Sequence, residues 1–304
     1  MDTSLRTKKV VCFGEILWDL LPSGAVPGGA PLNVAYQLKK LGNAPSLISR
    51  IGNDHYGAQL VQLLDKHGLS TQHVQTDNTH PTGIVHAFPG ANNEVVYDIA
   101  APAAWDFIEA TEAQGSLVAE AAYFVYGSLA SRNDRSRDTL LQLLEGATTK
   151  VFDVNLRSPH YSREVITRLM QGVSILKLNE VELTLIAGWY GVADEAAEGL
   201  KLLQDRLNIP TIVVTRGGDG ALLLLEGNLY EHQGFKVTVA DTVGSGDAFL
   251  AGLLHGLAAG WMGERTLNYA SALGALIASH TGACPDYDVK AIDVMLQQNS
   301  ANAV

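Results

Sequence analysis

The sequence predicts an α/β fold: a parallel central sheet covered by helices on both faces, forming a single domain over residues 1–304. Two observations lead there. Short apolar runs rich in β-branched residues alternate with stretches of helical spacing, and such alternation implies crossover connections between parallel strands. The runs are also apolar at successive positions, as strands buried on both sides must be. A third observation marks the exception, a stretch near residue 90 where the rhythm becomes that of a hairpin.

Taken in order, a buried strand is expected over 10–17 (VVCFGEIL) and a helix from Pro31 to a stop at Gly42, with Val34, Leu38 and Leu41 on one face. A strand over 45–51 and a helix over 58–67 ending at Gly68 follow. The hairpin pairs 83–88 (GIVHAF) with 94–99 (EVVYDI) across the polar turn 89–93. Strands are then expected over 122–126, 151–154, 174–177 and 211–214, with helices over 135–144, 163–171, 193–207 and 267–279. After Val214, the run Thr215-Arg-Gly-Gly-Asp-Gly220 reads as a tight turn into the apolar 221–225, a second hairpin. Residues 248–257 have helical spacing again.

With 47% hydrophobic and 17% charged residues, the chain is a globular one able to bury a sizeable core. A net charge of −11 without any basic block excludes nucleic acid and anionic membrane as expected partners. No window reaches transmembrane length, and residues 1–9 are polar with no apolar signal core, so a cytoplasmic location is expected. Cys12 and Cys284 are the two cysteines, which suits reduced thiols in that compartment. The nine histidines form no metal-ligand pattern.

The most informative stretch is Asp241-Thr-Val-Gly-Ser-Gly-Asp-Ala-Phe249. It sets a glycine-rich turn and a carboxylate at the start of a helix, where backbone N–H groups lack intrahelical acceptors. Gly244, Ser245 and Gly246 form an anion site in this reading, and Asp247 stands ready to take a proton from a hydroxyl attacking a bound phosphate. Phosphoryl transfer to an alcohol is the chemistry this implies. A tight turn with an N-capping carboxylate is the structural alternative. No Gly-Lys-Ser or Gly-Lys-Thr occurs, so a Walker loop is absent, and Phe249 stands where a Rossmann fingerprint needs its third glycine.

The nine residues closely resemble the C-terminal signature of the ribokinase-like carbohydrate kinases, the phosphofructokinase B type family. The stretch Gly28-Gly-Ala-Pro-Leu-Asn-Val-Ala35, with Leu41-Gly42 and Arg50-Ile-Gly-Asn-Asp-His-Tyr-Gly57, is similar to that family's first signature in the form carried by fructokinases. Asn179-Glu-Val-Glu182 and Val214-Thr-Arg-Gly-Gly-Asp-Gly220 fall in the family's order, so the resemblance spans nearly the whole chain.

The resemblance implies roles residue by residue. Asp247 matches the catalytic base and Gly244, Ser245 and Gly246 the anion hole. Asp19, Gly29, Asn33 and Tyr97 match sugar-binding positions; a carboxylate that accepts from adjacent hydroxyls gives an oriented contact. Arg157, in Asp153-Val-Asn-Leu-Arg157, matches an arginine near the substrate or transferred phosphate, although a surface arginine after a strand fits equally. Asn179, Thr215, Gly217, Gly218, Gly220 and Ser271 match nucleotide-binding positions, with Ser271 replacing a common asparagine. Glu182 matches a residue that organises Mg2+ through water, while Asn179 and Glu182 also read as ordinary helix caps. Asp241, Gly282 and Asp286 correspond to a monovalent-cation site, K+ in some relatives, with Asp286 replacing a hydroxyl residue. A small β lid, from about 16–30 and 82–100, is implied to close over the sugar and to pair two subunits in a homodimer.

The function expected is therefore an ATP- and Mg2+-dependent kinase acting on a primary sugar hydroxyl, with fructose as the leading substrate. Ribose, a 2-keto-3-deoxy sugar acid and a nucleoside are the alternatives within the family. The acid is disfavoured because residues 82–104 hold no Lys or Arg. A non-catalytic sensor on the same scaffold would have lost the base or the anion hole, and both are present.

Overall fold

A computed structural model describes residues 8–21, 24–89, 95–191 and 196–302 of the chain. Its central sheet consists of β1 (Lys9–Phe13), β4 (Ala44–Gly52), β5 (Val74–Asp77), β8 (Tyr123–Gly127), β9 (Lys150–Asp153), β10 (Ile175–Asn179), β11 (Thr211–Thr215), β12 (Ala221–Leu225) and β13 (Asn228–His232). A second sheet is formed by β2 (Leu17–Leu21), β3 (Gly24–Gly28), β6 (Gly83–Pro89) and β7 (Val95–Ile99). The helices are α1 (Ala30–Lys40), α2 (His55–Lys66), α3 (Glu112–Ala119), α4 (Asp134–Gly146), α5 (Arg163–Leu169), α6 (Glu180–Gly188), α7 (Ala196–Leu207), α8 (Ser245–Ala258), α9 (Gly263–Ala278) and α10 (Lys290–Asn302).

Among the described residues the central sheet runs β13-β12-β11-β10-β9-β8-β1-β4-β5. From β11 to β5 every pairing is parallel. β12 and β13 are antiparallel, because the turns that join them are too short for a crossover. The parallel α/β architecture expected from the sequence is thus present with an antiparallel edge. The strand expected over 10–17 is corrected: β1 ends at Phe13, and Gly14 at φ 139° turns the chain so that Leu17 onward pairs in the second sheet as β2. Apolar continuity across that turn concealed the break, since both halves are buried. The 83–88 and 94–99 segments do pair antiparallel, as β6 with β7, and their turn at 90–94 lies outside the described residues.

Alternation along the strands sorts side chains between two layers. Val11, Phe13, Phe152, Leu176 and Leu178 pack with Leu140, Ile166, Leu183 and Leu200 from α4 to α7. Val10, Cys12, Val151, Ile175 and Val213 pack instead with Leu32, Leu60, Leu250 and Leu267 from α1, α2, α8 and α9. Cys12 and Cys284 are both free thiols.

The second sheet is tied to the core by Arg132. Its guanidinium donates to both Asp106 carboxylate oxygens at 2.8 Å and to the carbonyls of Ile99 and Ala100 at 3.3 and 2.7 Å, and it lies 3.9 Å over the ring of buried Trp105. The end of β7 is therefore held by a buried cation that donates four hydrogen bonds. Replacing Arg132 with Met leaves Asp106 a buried, unpaired carboxylate, so Arg132→Met should cost about 3–5 kcal/mol in urea unfolding. A midpoint unchanged from that of the parent would show that the pair does not anchor this segment.

Candidate functional site

Because β1, β8, β9, β10 and β11 run parallel, their C-terminal ends share one edge, the usual place for ligands in such sheets. The loop after β1 carries Glu15 and that after β9 Arg157, Asn179 ends β10, and the glycine turn follows β11. α1 and α8, which carry Asn33 and Asp247, pack against each other over this edge.

The start of α8 has the geometry of an anion site. Gly244 is left-handed, at φ 78°, and a Cβ there would collide with Ala283, so glycine is required twice over. The N–H of Ser245 donates to Thr242 and that of Ala248 to Gly244, while those of Gly246 and Asp247 meet no acceptor among the described residues. Two donors and the positive end of a 14-residue helix thus converge on one place.

Asp247 stands in the same turn. Its Oδ2 accepts from Asn33 Nδ2 at 2.8 Å, and no described protein donor takes Oδ1. Burial foremost, then the Asp153 charge, push its carboxyl up to about 6, against the opposing pull of Lys177, Asn33 and Arg157. Asn33 is oriented in turn, since its Oδ1 accepts from the Cys284 thiol at 3.5 Å. Burial raises that thiol to about 12, which keeps it a neutral donor.

Across the edge sits a second acidic group. Asp19, midway along β2, is pushed up to about 6 by burial against the pull of Arg157. Its carboxylate lies where a side chain at residue 28 would be, and Gly29, at φ 108°, passes so close to the Glu15 carbonyl that a Cβ would not fit. The two glycines of the first signature therefore let the start of α1 close against the Asp19 carboxylate and the Glu15 carbonyl. Glu15 is buried and pushed up to about 7 by desolvation, against the Ala30 N–H and Arg157. Arg157 is exposed and exerts its charge on Glu15, Asp19 and Asp247 together. Tyr97 lies in β7 opposite Ala87, and its side chain is outside the described residues.

The remaining predicted residues divide. Asn179 and Glu182 form a reciprocal cap at α6, with both bonds at 2.8 Å, and the other Glu182 oxygen accepts from Leu156 N–H at 2.7 Å. Thr215 ends β11, the turn through Gly220 follows it, and a Cβ on Gly220 would strike the His232 carbonyl. Ser271 is buried in α9 with an unpartnered hydroxyl. Asp241 joins two loops by accepting from Val243 and Gly282 N–H at 3.0 and 3.1 Å. Asp286 does not join them through its side chain, which is 97% exposed and paired with Lys40 at 2.7 Å. Among the described residues no three carboxylate, His or Cys side chains form a metal cluster. The donor set still fits a Mg2+ ion that arrives on a triphosphate and keeps its waters, because such an ion needs few protein oxygens.

Four residues at the site escaped the sequence reading: Glu15, Asp153, Lys177 and Cys284. A signal existed for two of them. Asp153 in Val-Phe-Asp-Val and Lys177 in Ile-Leu-Lys-Leu are charges inside buried strands, where an unpaired charge is costly. Nothing local marked Glu15 or Cys284.

This fold and site define a carbohydrate kinase, and the chain belongs to the pfkB family of carbohydrate kinases, whose model matches residues 8–290. Relatives within that family include fructokinases. The chain is 30% identical to the fructokinase of Klebsiella pneumoniae over 83% of its own length and 85% of that protein. It is 29% identical to the fructokinase of Escherichia coli, over 90% and 94%. A double variant of Vibrio cholerae fructokinase, solved with fructose, ADP and a potassium ion, superposes with a TM-score of 0.81 at 26% identity, covering 95% of this chain and 98% of that one.

The raised Asp247 sets a sign for pH dependence. A base must be ionised, so kcat/KM should climb as pH rises through about 6 and level off above it. A flat profile from pH 5 to 7 would remove Asp247 from that role. Gly244→Ala should lower kcat by on the order of 10-fold or more with little effect on sugar KM, because the collision with Ala283 displaces the donors and not Asp19.

Proposed function

We propose that the protein is a fructokinase that transfers the γ-phosphoryl group of ATP to a primary hydroxyl of fructose. The observation that carries this reading is the first turn of α8, where free N–H groups and the Asp247 carboxylate face the same point. The sugar hydroxyl approaches the free Oδ1 of Asp247. As its oxygen bonds to the γ-phosphorus, the bond to the ADP oxygen breaks and the hydroxyl proton passes to Asp247. The N–H groups of Gly246 and Asp247 receive the charge on the transferring group, and Asn33 keeps the carboxylate turned toward the sugar.

Asp19 accepts sugar hydroxyls from the second sheet, with Arg157 opposite as a cation for sugar or phosphate. The glycine turn after β11 and the region of Ser271 take the nucleotide. Magnesium held by the phosphates, with Glu182 reached through water, supplies neutralising charge when bound. The relative solved with potassium supports a cation near the loop that Asp241 and Gly282 hold together. The second sheet acts as a lid and as the contact between two subunits. Phe88, 51% exposed on β6, supports that contact, and the side chains of Val95 and Val96 lie outside the described residues. Two free thiols and the acidic charge support a cytoplasmic enzyme, and among the described residues no helix is long and apolar enough to cross a membrane.

An ADP-release assay over fructose, ribose, a 2-keto-3-deoxy sugar acid and nucleosides should give fructose the highest kcat/KM; a larger value for any other would reassign the substrate. Asp247→Asn should lower kcat by on the order of 10²–10⁴ without altering the circular dichroism spectrum, and near-parental turnover would sink the mechanism. Phe88→Lys should convert a dimer to a monomer in light scattering and raise sugar KM more than ATP KM. A parent that is already monomeric would remove the lid from the subunit contact.

A further inference from the structure

Asp153 and Lys177 stand opposite each other in the neighbouring strands β9 and β10. They lie on the sheet face that Val151, Ile175 and Val213 otherwise make apolar. Lys177 Nζ donates to both Asp153 oxygens, at 2.8 and 2.9 Å, and the side chains are only 8% and 4% exposed. Stability does not call for this pair, since apolar residues of similar volume commonly replace a buried ion pair without loss. Its location is more telling. It is the last pair on that face before the C-terminal edge, directly beneath the first turn of α8. The bare Gly246 leaves Lys177 Nζ 3.6 Å from where a Cβ would stand, so no side chain separates the ammonium from the anion-hole turn.

We propose that the Asp153–Lys177 pair is a positioning device for the phosphoryl-transfer centre, in which Lys177 neutralises Asp153 so that Asp247 above them works as a free base. This rests on the reading of Asp247 as the base. The other groups that face Asp247 are Glu15 after β1, Asn33 from α1, Arg157 after β9 and Cys284 after α9. Asn33 and the Cys284 thiol are uncharged, Arg157 is exposed and screened by solvent, and burial pushes the Glu15 carboxyl up, with the Asp247 charge adding to that push. Glu182 faces the pair from α6 with both oxygens already bonded to N–H groups. Asp153 and Lys177 are thus a buried, doubly hydrogen-bonded pair beneath Asp247, and they act on it with opposite sign.

The test reads the Asp247 carboxyl carbon by 13C NMR in the substrate-free protein, its signal assigned by loss in Asp247→Asn. In Asp153→Asn the anion is gone and the ammonium remains, so Asp247 should titrate about 1 pH unit or more below its parental value. In Lys177→Met two carboxylates face each other and share a proton, so the last step should move about 1 unit or more above it, while Lys177→Arg stays near the parent. The acid limb of kcat/KM should follow in the same directions. If the pair only fills space, neither variant shifts the Asp247 carboxyl, or both shift it the same way, and either result overturns the proposal. If Lys177→Met does not fold, Asp153→Asn decides alone: a titration unmoved from the parental value overturns the inference. The NMR reading needs no turnover, so a failure of fructose phosphorylation would overturn the substrate reading without touching this one.

Discussion

The first turn of α8 must do two opposed things in one place. Its unpaired N–H groups and helix dipole favour an anion, while Asp247 in the same turn is itself a carboxylate, which as the proposed base would have to remain ionised and unneutralised. Were a strong cation bonded to Asp247, the helix end would be satisfied and the base lost. The structure gives Asp247 a neutral donor, Asn33, and holds charge compensation one layer down, where Lys177 bonds Asp153. Much of the surrounding architecture follows from keeping these groups apart by a few ångströms.

The loops at this edge are tied to one another more than to solvent. Glu182 bridges the start of α6 to Leu156, so the segment that presents Arg157 is held at one end by Asp153 in the strand and at the other by a carboxylate from the next crossover. Asn155 between them adopts φ 40°, a conformation that non-glycine residues avoid and that such clamping sustains. Asp241 likewise ties the approach to α8 to the turn after α9, where Ala283 fills the space beside Gly244. The donors of α8 are therefore preorganised, which is what electrostatic stabilisation of a transferring phosphoryl group demands.

On the sugar side, order comes from backbone proximity. Gly28 and Gly29 leave room for Asp19 and the Glu15 carbonyl to approach the start of α1, and β2 carries Asp19 away from the central sheet into the smaller one. The same α1 presents Asn33 to Asp247, so one helix connects the Asp19 side of the site to Asp247. Arg132 fixes the far end of the small sheet to the core while leaving β3 and the β6–β7 end on the periphery.

The alternating architecture, most strand and helix positions, and the glycine turn with Asp247 at the start of α8 were legible in the sequence because each rests on local chemistry: period, caps and the φ of a turn. The break at Gly14 was not legible, since burial on both sides of a turn looks like one strand. Glu15, Asp153, Lys177 and Cys284 could not be assigned to the site from sequence, although a charge inside an apolar strand hints that a partner exists. Asp153 and Lys177 are 24 residues apart and meet only through strand register, and Asn33 meets Asp247 across 214 residues only because α1 packs on α8. Local sequence thus determined which groups are chemically able to bind a phosphate and take a proton. Tertiary structure decided which of them are desolvated together, and a carboxyl's proton affinity is set by that shared environment and by no property of the residue alone.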